Sequence, residues 1–308
     1  MPDTFYTAAP HWTWYIVAYF FIGGIAGTAF LLAASLHFFS RPGDRPLVRI
    51  GYYVAFVGAV LSGILLIVDL NRPERFWHMM IESNTGRPMF KSWVPMSVGV
   101  WGVLLFGLFS FLAALSVTGE DRPGWRFTRW APVRALGGRV PAAIIAVLGA
   151  LFGLFLAGYT GVLLSVTNRP IWADSNLLGL LFLVSGASTG AATLYLLARR
   201  RGVGTPASLA WLSWFDERVL VLELLVLIAF LVSLGPVAEV LVGWWGVLLL
   251  GVVVAGIAVP LWLVHGSRGG HRAVQAAVLV LIGGFLLRVV VILSSHDIYV
   301  WGSGVARP

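Results

Sequence analysis

Eight long apolar runs, separated by short polar segments, set the pattern of this 308-residue chain. They fall at roughly 14–38, 47–68, 93–117, 141–166, 175–198, 218–235, 243–264 and 272–294. Each is near or above the ~20 residues a helix needs to cross a bilayer, and none alternates apolar with polar positions as a barrel strand does. In lipid only a helix satisfies its own backbone, so the pattern predicts an all-α membrane protein of eight transmembrane helices. Small residues recur within the runs, as in Gly23-Gly24-Ile25-Ala26-Gly27 and Ser185-Gly186-Ala187-Ser188-Thr189-Gly190, where they let helix backbones approach closely. The segments Gly27-Thr28-Ala29-Phe30-Leu31-Leu32 and Gly190-Ala191-Ala192-Thr193-Leu194-Tyr195 look alike, and each precedes a basic loop. Four spans per half then suggest a parallel repeat of two four-helix bundles. Residues 1–139 would hold the first three spans and a long loop, 140–170 the fourth span completing the first bundle, and 171–308 the second bundle.

Composition agrees: 59% of residues are hydrophobic and 11% charged, with a mean hydropathy of +0.89, which leaves no room for a sizeable soluble domain. The net charge of +8 does not point to nucleic acid, because the arginines gather in the loops. Fourteen fall in loops on one side, around Arg41–Arg49, Arg122–Arg139, Arg199–Arg218 and Arg268–Arg272; six basic residues fall on the other, at Arg72, Arg75, Arg87, Lys91, Arg169 and Arg307. The positive-inside rule makes the first side cytoplasmic and puts both termini outside. The loop Asp121–Trp130 mixes arginine with aromatics and is expected to lie on the anionic inner surface. Cysteine is absent, which excludes disulfides, thiol catalysis and an iron–sulfur cluster ligated by this chain. The six histidines fall in loops or at helix ends, so none is placed to ligate a haem between facing helices.

Polar residues at the outer ends of the runs carry the candidate chemistry. The strip Asp69-Leu70-Asn71-Arg72-Pro73-Glu74-Arg75-Phe76-Trp77-His78 follows the second run. It reads either as a solvated loop or as the polar rim of a pocket in which Asp69 or His78 exchanges protons and Arg72 orients an oxygen. Tyr15 and Tyr19 open the first span, Tyr159 lies late in the fourth and Arg288 late in the eighth. At 1.5 Å per residue the last two sit roughly 10 Å below the outer face, so side chains from four helices share one depth. Glu223 is placed roughly 7 Å in from the cytoplasmic end of the sixth span. It could be a step in a proton path or a partner of Arg218, and with Arg288 it also fits a secondary transporter.

In combination these segments resemble the NrfD/PsrC family, the membrane subunits of polysulfide-reductase-like complexes. The matching stretches are Asp69-Leu70-Asn71-Arg72-Pro73-Glu74-Arg75-Phe76-Trp77 followed by Trp93, then Tyr159-Thr160-Gly161-Val162-Leu163-Leu164-Ser165, Pro170-Ile171-Trp172 and Ser185 to Gly190. The resemblance covers nearly the whole chain. It implies eight helices in two bundles, no redox centre in this chain, and a menaquinone or ubiquinone site near the outer face. It also implies docking to a four-cluster ferredoxin-like iron–sulfur subunit wired to a molybdopterin or other redox subunit, in a bacterial or archaeal cytoplasmic membrane. Tyr159 matches the family's quinone-site tyrosine, and Asp69 and Arg72 its acidic and basic loop positions. A member of the family uses Asn and His on its first helix, where this chain has Trp14, Tyr15 and Tyr19. A bare membrane anchor without a quinone site is the third reading.

Overall fold

The computed structural model describes residues 12–39, 42–122, 124–265 and 270–302. Arg41, Arg268, Arg307 and both chain ends, on which the sidedness argument partly rests, lie outside them. The described residues are helical, with a single isolated bridge between Ile81 and Pro88 and no strand. The long helices are α1 (Trp14–Phe39), α2 (Arg45–Val68), α3 (Pro95–Asp121), α4 (Arg139–Ser165), α5 (Leu178–Arg201), α6 (Pro206–Ser233), α7 (Trp244–Val264) and α8 (His271–Gly302). A short helix, Ala131–Leu136, precedes α4. Seven are long and apolar enough to cross a membrane. The eighth span exists only if α6 is joined to the 3-10 helix Gly235–Val242, which leaves it at a 108° bend. This is a multi-pass membrane protein.

The sixth span begins twelve residues before the sequence places it. Thr205 caps α6 by accepting a hydrogen bond from the Ser208 amide (3.2 Å), and Pro206 takes the first helical position. Arg218 is therefore a residue within a helix, and the connection from α5 is only the few residues around Gly202, whose φ of +64° suits a glycine ending a helix. The seventh span is also irregular: Val252–Ala258 is π-helical, where Gly256 and Gly283 bring α7 and α8 into backbone contact.

Helix α1 is the central post, packed against α2, α4, α5 and α8. Glycines permit this. A Cβ on Gly27 would overlap the Gly153 carbonyl of α4, and one on Gly190 would overlap Thr28. Thr28 Oγ1 donates across to the Gly186 carbonyl of α5 at 2.7 Å, so the two look-alike segments lie against each other. Substituting Gly27 with Leu should force α1 and α4 apart and cost about 1–3 kcal/mol or more, read as a lower midpoint of thermal unfolding in detergent. An unchanged midpoint would mean that the crossing is not close-packed.

At the arginine-rich end, Asp44 Oδ1 accepts from the Thr205 amide (3.1 Å) and hydroxyl (2.7 Å), tying the α1–α2 turn to the start of α6. At the other end Trp172 is fully buried, donating to the Val291 carbonyl (2.8 Å) and stacking on Trp12 with centroids 5.5 Å apart. Its neighbour Ile171 holds φ of +69°, a strained value for a β-branched residue, fixed by Asp174 accepting from the Ile171 amide at 2.8 Å. The Pro170-Ile171-Trp172 motif is thus a lock between the α4–α5 loop and α8.

Candidate functional site

Two buried tyrosines, Tyr19 of α1 and Tyr159 of α4, lie on neighbouring helices. Tyr159 is 7% exposed and donates from its hydroxyl to the Pro95 carbonyl at the start of α3 (2.7 Å). Phe155, one turn earlier, stacks on its ring at 5.1 Å, and Gly99 leaves the ring no spare room, since a Cβ there would overlap it. Tyr19 is buried from α1, close enough to Tyr159 for the two to interact electrostatically. The space above Gly23 is bounded by the Tyr19 ring, Leu156 and Ser62 Oγ of α2. That serine hydroxyl is fully buried and has no hydrogen-bond partner among the described residues. A buried hydroxyl without a partner costs free energy, which fits a place for a polar ligand atom.

The other candidates at this end are peripheral. Tyr15 is 50% exposed and stands outside the buried pair. Asp69 ends α2 half-buried, and its partial burial raises its carboxyl above the usual carboxylate range, so it keeps a proton to higher pH than a solvated aspartate. Arg72 is exposed, and the 3-10 helix Pro73–Met79 has no buried residue. His78 stacks on Trp77 at 3.7 Å, with Nδ1 3.2 Å from the Arg75 carbonyl. The strip is a folded rim whose arginines and tryptophan face outward.

Arg288 does not join the tyrosines. It is fully buried on α8, and its guanidinium donates to the Phe20 carbonyl (3.2 Å), Ser185 Oγ (3.1 Å), the Gly284 carbonyl (2.6 Å) and the Phe182 carbonyl (3.5 Å). Ser185 also lies within reach of the Glu223 carboxylate, and Glu223 interacts with Arg288 rather than with Arg218. Arg218 instead sits over the Trp214 ring at 5.5 Å. The expected depth of Glu223 is corrected with this: counted from Pro206 it is about 25 Å along α6. One helix turn beyond Ser185 on α5, Ser188 donates to the buried Asp216 at 2.7 Å. Asp216 sits in the same charged network as Glu223. Asp216 is the member sequence reading missed, its signal being an acidic residue seven positions before Glu223 at helical spacing, while Ser185 and Ser188 entered there only as small residues of a family-like segment. Among the described residues no three His, Cys, Asp or Glu side chains group closely enough to hold a metal ion.

Helix α1 stands between the two arrangements, with Gly23 facing Ser62 and Leu156 and Gly24 facing Arg288 and Gly186. The model of the family described as "Polysulphide reductase, NrfD" matches residues 3–298. This chain belongs to the NrfD family. Among its relatives, it is 29% identical over 307 residues to Protein NrfD of Escherichia coli strain K12, covering 90% of this chain and 92% of that one. It is 26% identical over 294 residues to a polysulfide reductase chain of Wolinella succinogenes, covering 89% and 90%. To a selenate reductase subunit of Mesobacillus selenatarsenatis it is 23% identical over 296 residues, covering 85% and 68%. The segments around Tyr159 and Ser185 that carried the resemblance to NrfD are those that build the tyrosine pair and the arginine network.

Proposed function

We propose that this NrfD-family chain is the membrane subunit of a respiratory oxidoreductase complex, binding a quinone or quinol beside Tyr19, Ser62 and Tyr159 and exchanging electrons with an iron–sulfur partner subunit. Two relatives, each named as one component of a reductase, support its place in a multi-subunit enzyme. The observation that carries the site is the buried Ser62 hydroxyl, without a hydrogen-bond partner among the described residues and set beside the Tyr19 ring and Leu156. A menaquinone or ubiquinone held there would supply two-electron, two-proton chemistry. Its oxygens need donors when oxidised and acceptors when reduced. Ser62 can serve as either, and Tyr159, whose proton is given to Pro95, offers an acceptor oxygen. Asp69 and His78 stand at the rim to pass protons to water, Arg72 draws anionic groups toward it, and the exposed Tyr15 lines the approach from lipid.

Proton movement toward the arginine-rich end would run through Arg288, Ser185, Glu223, Ser188 and Asp216. Arg288 bonds the Phe20 carbonyl, the peptide next to Tyr19, so a change at the tyrosine pair has a short path to the charged residues. Asp216 lies about 15 Å into α6 from Pro206, at the near end of the series.

Ser62→Leu, which fills the space beside Tyr19, is expected to abolish quinol-dependent turnover of the assembled complex while leaving the chain in the membrane with its partners. Normal turnover in that variant would remove the site. Solute uptake by the chain reconstituted alone would favour a transporter instead.

A further inference from the structure

At the arginine-rich end a groove of about 480 Å³ opens between α2, α3 and α5. Tyr53 and Thr118 form its floor, their hydroxyl oxygens 3.1 Å apart. Arg122, Trp125 and Arg201 form its walls together with Asp121. Asp121 is already engaged: it pairs with Arg49 and accepts from the Tyr53 hydroxyl at 3.1 Å. Arg122 lies over the Trp125 ring at 4.8 Å, yet its guanidinium forms no ion pair or hydrogen bond among the described residues, and neither does that of Arg201. With Arg49 and Asp121 paired, the guanidinium groups of Arg122 and Arg201 line the groove without an anionic partner among the described residues.

An apolar lane leads out of this groove along two helices. On α2, Val57, Leu61, Ile64 and Val68 follow Tyr53 at three- and four-residue spacing, and all are exposed. On α3, Phe111 and Leu104 lie seven and fourteen residues before Thr118, also exposed. From Tyr53 to Val68 the lane runs about 22 Å, more than the ~15 Å depth of one leaflet's hydrocarbon. A soluble phosphate compound would use the cations and leave the lane empty. A molecule with an anionic head and long chains uses both.

We propose that this groove is a binding site for an anionic phospholipid, its phosphodiester held between Arg122 and Arg201, with the Tyr53 and Thr118 hydroxyls beneath and the acyl chains along α2 and α3. Arginine forks suit phosphate oxygens, and the Trp125 ring holds one of them in place. The site lies away from the tyrosine pair and does not depend on what binds there.

Native mass spectrometry of the full-length chain released from detergent, with dioleoyl phosphatidylglycerol or dioleoyl phosphatidylcholine added, tests this. The wild-type chain should retain phosphatidylglycerol in clear preference to phosphatidylcholine. The double variant Arg122→Gln/Arg201→Gln should bind phosphatidylglycerol about twenty-five-fold more weakly, at about fivefold per arginine. The double variant Arg134→Gln/Arg139→Gln, which removes two exposed arginines at the same end outside the groove, should bind as the wild type does. Equal retention of the two lipids by the wild-type chain would overturn the proposal, and this comparison needs no variant to fold. Equal weakening in both double variants would also overturn it, because it would reduce the effect to net charge. An inorganic phosphate adduct lost on substituting Arg122 and Arg201 would overturn the lipid assignment.

Discussion

Tyr159→Phe is expected to lower quinol-linked turnover at least about tenfold, while the complex assembles and unfolds at nearly the wild-type temperature. The ring does not depend on its oxygen for position. Phe155 stacks on it and Gly99 closes the space behind it, so phenylalanine fits the same slot. What the variant removes is one hydroxyl, which ties α4 to the Pro95 carbonyl and lies within electrostatic reach of Tyr19. A hydrogen bond to a group that gains charge during reaction is worth about 1.5–3 kcal/mol, whereas a neutral bond to a backbone carbonyl is worth about 1 kcal/mol. Turnover and stability therefore separate the roles. A fall in unfolding temperature with unchanged turnover would make Tyr159 a helix tie and nothing more.

The second large effect is at Arg288. Replacing it with Leu removes the positive charge that acts at longer range on the buried Glu223 and frees the Phe20, Phe182 and Gly284 carbonyls from their side-chain donor. Each buried polar group left without its partner costs about 1–3 kcal/mol, and several are lost together, enough to empty the membrane of folded chain. Arg288→Leu combined with Glu223→Gln removes the stranded charge and should restore much of the folded protein, though not proton-linked activity. Quantifying the chain in membranes by immunoblot for the four members of this cycle reads the coupling. A double-variant loss equal to the sum of the two single-variant losses would show that Glu223 and Arg288 do not depend on each other.

The spans were legible in the sequence because a bilayer imposes one rule on every one of them, and seven of the eight runs coincide closely with long helices. The start of α6 was not. Asp216, Glu217 and Arg218 interrupt hydropathy, and only the Ser188 hydroxyl, from another helix, makes an acidic residue acceptable there. The same kind of information was missing for Arg288. Its position along α8 suggested the depth of Tyr159, but its direction is set by the small residues Gly24, Gly284 and Ser185 around it. Tyr19 and Tyr15, alike in sequence, part company because a four-residue step on α1 takes one under the neighbouring helices and leaves the other at the exposed end. Ser62 carried no motif, and only its burial without a partner marks it.

The account stands on a lipid-borne redox ring being held between α1, α2 and α4. Photolabelling of the intact complex in membranes with an azido-quinone, followed by peptide mass spectrometry, measures this directly. Adducts that cluster on the peptides carrying Tyr19, Ser62 and Tyr159, and that vanish with excess unlabelled quinone, are the expected result. Competable adducts confined to α6–α8, or none that quinone displaces, would contradict it.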